Sequence, residues 1–114
     1  MSTNPYKSFL YFRDAAGTNR IFAAPSDNVH SVQASTTAAN QVIVRFNRSL
    51  YNDGVFGTGQ PAVVTLSTEA GKSVEAITNI VKTIQKSDGV RVISDDVVNE
   101  HLEHITGVVS IVIS

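Results

Sequence analysis

The stretch DDVVNEHLEHI, residues 95–105, sets the helix content of the C-terminal third and with it the fold class. Val98, Leu102 and Ile105 recur at helical spacing and would share one face. Asp95 and Asp96 fall in the first turn, where the helix dipole favours negative charge. Gly107 stands just past the end, the usual place for a stop. The spacing predicts a short helix. The strand-like segments VRVIS (90–94) and VVSIVIS (108–114) flank it.

Working upstream, a longer helix is predicted over 69–86. Ala70, Val74, Ile77, Ile80, Val81 and Ile84 form an apolar stripe, with Lys72, Glu75, Asn79, Lys82 and Lys86 opposite. Ser67 or Thr68 can cap its start, Glu69 suits its positive end, and Lys82 and Lys86 suit its negative end. Gly71 falls inside the first turn, at a cost of up to about 1 kcal/mol relative to alanine. Gly89, free to adopt positive φ, ends the helical region.

The N-terminal half reads as strands. SFLYF (8–12) is apolar on both faces, as in a strand covered on both sides. In RIFAA (20–24), Ile21 and Ala23 face one way and Phe22 the other. PSDN (25–28) is a turn signal. VHSVQAS (29–35) and QVIVRFN (41–47) flank a turn at 36–40, and Val42, Val44 and Phe46 share one face of the second. AVVTLS (62–67) is a further strand. Between them, RSLYNDGVFGTGQP (48–61) loses periodicity, with three glycines and one proline. Its Tyr51 and Phe56 are candidates to anchor the loop or meet a partner.

Hairpin-length connections imply antiparallel pairing. The expected fold is α+β: a curled sheet or partial barrel of about six to seven strands on one long amphipathic helix, with a short C-terminal helix. At 114 residues it is read as a single domain spanning 1–114.

Apolar residues make up 42% of the chain and charged residues 17%, which argues against wholesale disorder. The net charge of −1 and the lack of any like-charge run remove the usual basis for non-specific nucleic-acid binding. There are no cysteines, so disulfides and thiolate chemistry are excluded. The N-terminus lacks the pattern of a signal peptide, and no apolar run is long enough to span a bilayer. The expectation is a cytoplasmic protein with no membrane partner.

The segment VVTLSTEAGKSVEAI (63–77) has a strand, Gly-Lys-Ser and a helix, three parts of a nucleotide-phosphate loop. The loop also needs a glycine five residues before Gly71, and Leu66 stands there. Glu69 adds a carboxylate where phosphate charge would sit, so nucleotide binding is set aside. His101 and His104 lie three apart on the predicted short helix and could ligate zinc, with His30 or Asp96 as a third ligand. A solvated helix with a boundary histidine is the favoured reading, and no cofactor is expected. His30 and Ser31 point to opposite faces of a strand and make no catalytic pair. Lys72, Lys82 and Lys86 on the long helix could meet nucleic acid. Phe9, Tyr11, Phe12 and Phe22 could stack bases, although core packing is the stronger reading.

The segments YFRDAAGTNRIFAAPSDNVHSVQAS, VIVRFN, VVTLSTEAGKSVEAI and GVRVISDD, which span most of the chain, resemble small uncharacterised β-rich proteins of marine tailed phages of the cyanophage type. The resemblance implies no chemistry. It implies a virion-associated or accessory role, with virion proteins as partners. The leading expectation is a non-enzymatic structural or interaction protein that self-associates, since an open sheet must cover its edges. The alternatives are a nucleic-acid-binding accessory domain and a small metal-dependent enzyme.

Overall fold

Period-two alternation of large apolar side chains builds most of this protein. The computed structural model describes residues 8–15, 21–47, 61–85 and 89–113. The elements run β1 (Phe9–Arg13), β2 (Ile21–Pro25), β3 (Val29–Ala34), β4 (Gln41–Phe46), β5 (Ala62–Thr68), α1 (Ser73–Ile84), β6 (Val90–Asp95), β7 (Glu100–His101) and β8 (Ile105–Ile113). The strands form two four-stranded sheets, ordered β2-β1-β6-β7 and β3-β4-β5-β8.

The chain first passes from the first sheet to the second at a 3-10 turn, Ser26–Asn28, directly after Pro25. Proline has no N–H to continue a ladder, so β2 ends there and the turn redirects the backbone. The Ser26 N–H donates to the Ser8 carbonyl (2.8 Å), and Asn47 N–H to the Asn28 carbonyl (2.7 Å). These bonds pin both ends of the crossing.

The two sheets and the helix share one core. Leu10, Phe12 and Phe22 from the first sheet meet Val42, Val44, Phe46, Val64 and Leu66 from the second, with Ala76 and Ile80 from α1. Three phenylalanines join the layers. The Phe46 ring stands edge-on to Phe12 at 5.8 Å and to Phe22 at 5.0 Å. Edge-to-face rings add to the gain from burial.

The expected α+β architecture, a curled sheet or partial barrel with a long and a short helix, is overturned. The described residues are mostly strand, in two sheets with no closed barrel, and carry one α-helix. Residues 95–105 are not a helix: they form a turn, the short strand β7 and a second turn. Asp95 Oδ1 accepts the N–H groups of Val97 (3.0 Å) and Val98 (3.4 Å), so its side chain competes with helical bonding. Two successive β-branched valines weaken the helix further. Asn99 (φ 56°) and His104 (φ 73°) adopt left-handed backbone that no helix accommodates.

The long helix is also shorter than expected at its start. Gly71 does not lie in its first turn but precedes it at φ 73°, and Lys72 occupies the N-cap without a side-chain capping bond. The buried stripe is rotated from the expected one. Ala76, Ile80 and Thr83 face inward, while Val74 is 73% exposed. The Thr83 hydroxyl donates to the Asn79 carbonyl (2.9 Å), which lets a polar residue sit on the buried face.

Antiparallel pairing holds for β1–β2, β3–β4, β4–β5, β5–β8 and β6–β7, but β6 lies parallel to β1. The β5–α1–β6 passage is long enough to carry β6 across to the first sheet. Among the described residues, no helix is long and apolar enough to cross a membrane.

Candidate functional site

The end of β6 and the turns that follow bring several polar side chains together. Ser94 faces His101 across the β6–β7 pairing. Ser94 Oγ lies 2.7 Å from His101 Nδ1, and His101 Nε2 lies 3.0 Å from Asn99 Oδ1. Because the Asn99 oxygen accepts, Nε2 carries the hydrogen, and Nδ1 accepts from the serine hydroxyl. Serine, histidine and asparagine in sequence suggest an acyl-transfer triad. Ser94, however, is 0% exposed, so no carbonyl substrate can reach its oxygen. The chain of bonds satisfies a buried hydroxyl and fixes the hairpin.

This role makes a prediction. His101→Ala leaves the Ser94 hydroxyl buried without its partner, and an unsatisfied buried group costs about 1–3 kcal/mol. Urea denaturation should show that loss. Adding Ser94→Ala should recover part of it, because removing both partners is cheaper than removing one. Strictly additive losses would contradict the pairing.

His104 has a separate role. Its Nδ1–H donates to Glu69 Oε1 at 2.7 Å, and Nε2 lies 3.7 Å from Glu103 Oε2. The Glu69 N–H also donates to the His104 carbonyl (3.1 Å), so the 103–104 turn is tied to the loop before α1. His101 and His104 therefore do not share a helix face, as a His-x-x-His zinc pair would require. The two carboxylates beside His104 address opposite ring nitrogens and do not converge on a point. No group of three or more histidine, aspartate or glutamate residues among the described ones is arranged to hold a metal ion. His30, the first proposed third ligand, lies on β3 in the other sheet. Asp96, the other, directs both carboxylate oxygens at the Val108 N–H, each at 3.2 Å.

A shallow groove of about 290 Å³ runs between α1 and the 103–104 turn, lined by Val74, Glu75, Thr78, Asn79, Lys82, Glu103 and His104. Lys82 is thus set among carboxylates, and Lys72 Nζ lies 3.9 Å from Glu75 Oε2 with both side chains about half exposed. The lysines present a mixed field rather than a basic strip, and such exposed pairs contribute little. Lys86, Tyr51 and Phe56, the other candidate interaction residues, lie outside the described residues.

The loop before α1 is no phosphate cradle. The Gly71 N–H donates to Asn40 Oδ1 (3.1 Å) and the Lys72 N–H to the Glu69 carbonyl (3.1 Å), so two of its donors are already engaged.

The contact sequence reasoning missed altogether is Arg13–Asp95. Arg13 Nε and Nη2 donate to the two Asp95 oxygens at 2.8 and 2.9 Å, a bidentate fork across the parallel β1–β6 pair. No local signal links residues 82 positions apart. Arg13's hydrogen bond holds the Asp95 carboxyl below its ordinary range, against the opposing effect of burial. No protein-family model matches the chain, and no curated protein or solved structure is significantly similar to it.

Proposed function

We propose that this chain is a non-enzymatic structural or interaction protein that self-associates, in keeping with the virion-associated or accessory role implied by its resemblance to cyanophage-type proteins. The observation that carries this reading is the placement of exposed apolar side chains. Ile21, Val90, Val109, Val112 and Ile113 all stand exposed on strands. Sheet surfaces left apolar in this way are those that proteins use to bind one another. Low charge density offers little electrostatic opposition to association.

The test is the native mass as a function of concentration. Sedimentation velocity from low to high micromolar protein should show a mass that rises above that of one chain. A single monomeric species throughout would refute the proposal.

A further inference from the structure

β3 is an edge strand of the second sheet, and one bond fixes the phase of its hydrogen bonding. The Ser35 N–H donates to the Gln41 carbonyl (3.0 Å). From Ser31 opposite Arg45 to Ala34 opposite Val42 the register with β4 is unbroken. Alternate residues of an antiparallel strand bond a given neighbour. Ser31, Gln33 and Ser35 therefore bond β4, and Val32 and Ala34 turn their N–H and C=O groups out of the sheet. Among the described residues nothing bonds those outward groups.

Open edges are ordinarily guarded by a charge, a proline, a bulge or very short length. The other described edges follow that rule. On β8 the Val108 N–H is taken by the Asp96 carboxylate, β2 ends in Pro25, and β7 is two residues long. Ser31–Ala34 has no such guard. Residues 28–44 contain no Asp, Glu, Lys, Arg or Pro, and the bulge of β3 lies before Ser31. Gln33 and Ala34 are exposed.

We propose that β3 of a second copy pairs antiparallel with this edge about a two-fold axis at Gln33, joining two four-stranded sheets into one. The inference rests on the self-association reading and names the element that carries it. A second copy is selected because the open groups match themselves. Val32 pairs with the partner's Ala34 and Ala34 with the partner's Val32, each pair exchanging both main-chain bonds. A large side chain faces a small one in both pairs. At the axis the two Gln33 side chains stand directly opposite, with Cβ atoms about 5 Å apart, and each amide can donate to and accept from the other. An uncharged edge meets its own copy without like-charge repulsion and gives a strongly charged partner no counter-charge on this strand. The paired segment is short, and its contact is smaller than the about 800 Å² per partner of a stable interface. The dimer is therefore weak, with a Kd in the micromolar range or above.

The test puts a charge at the axis. Gln33 is exposed, so the monomer has room for Gln33→Lys and for Gln33→Glu, and circular dichroism first confirms that both fold. In sedimentation velocity at low salt each variant alone is expected to raise the dimer Kd about 5-fold or more, because like charges then stand opposite one another. An equimolar mixture of the two is expected to regain association as a heterodimer. Exchange of the Val32 and Ala34 amides in the unmodified chain should slow as concentration rises. Val112→Lys, on the far edge strand of the same sheet, should leave Kd unchanged. A mixture that does not recover, or Val32 and Ala34 amides indifferent to concentration, overturns the β3 pairing. If Val112→Lys abolishes association and the Gln33 variants do not, this edge is refuted while self-association stands. An edge that serves a strand of some other protein leaves the unmodified chain monomeric at every concentration, and then both proposals fall.

Discussion

Phe12→Ala is expected to remove about 3–5 kcal/mol of stability, the usual loss when a fully buried phenylalanine is truncated. Phe12 is wholly buried and touches both Phe22 within its own sheet and Phe46 in the other. The deletion empties the point where the two layers meet, and neither sheet can close the gap without moving as a unit. Total stability of a domain this size is about 5–15 kcal/mol, so the variant should be close to unfolding at room temperature. The informative control is Phe9→Ala on the same strand. Phe9 lies on the opposite face and is only half-buried, so its truncation should cost less than about 1.5 kcal/mol. Urea midpoints for the two variants decide the matter. Equal losses would mean that β1 does not have one core face and one outer face, and the two-sheet packing would fall with it.

The same strand illustrates what could be read from residues alone. SFLYF is apolar at every position but one, and a run of that kind identifies a strand without saying which face is the core. By contrast, β4 alternates cleanly, and its buried set of Val42, Val44 and Phe46 was legible from sequence. So were the turn at 36–40, closed by Asn40 at φ 60°, and the positive φ of Gly89, 75°, although α1 already ends at Ile84, well before that glycine. These features depend on local chemistry, which the sequence carries directly.

What was not legible depends on partners distant in the chain. Parallel pairing of β1 with β6 joins residues some eighty positions apart, and with it arises the Arg13–Asp95 fork. In residues 95–105 the helical spacing of Val98, Leu102 and Ile105 was a coincidence. Ile105 is buried as the first residue of β8, while Val98 is exposed. Ser94 and His101 meet only because β6 and β7 form an antiparallel pair, so no motif could have disclosed them. The rotated stripe on α1 has a similar origin: the face that meets β3 and β4 selects Ala76 and Thr83, which periodicity of large apolar residues overlooks.

Asp95→Asn is expected to lower stability by about 1–2 kcal/mol at pH 7, less than a fully buried pair would give because Arg13 is 25% exposed and partly screened. Asparagine keeps an oxygen for the Val97 N–H, so the turn survives and the loss reports mainly on the Arg13 fork. The pH dependence separates this from a packing defect. In the folded chain the Asp95 carboxyl titrates below its ordinary range, chiefly because Arg13 hydrogen-bonds its charged form. Unfolded, it titrates near the usual value of about 3.9. Between those two values the unfolded chain binds the extra proton, so acid favours unfolding there. The contribution is therefore fully present above the unfolded value and disappears as pH falls through the folded one. Wild type, with 7% of the Asp95 side chain exposed, should lose this contribution on acidification, whereas the asparagine variant has none to lose. Urea midpoints of the two proteins should differ at pH 7 and converge as pH falls through the lowered folded-state value of Asp95. A difference that persists undiminished into acid would show that the carboxylate's charge does not hold β1 to β6, and that the substitution acts through shape instead.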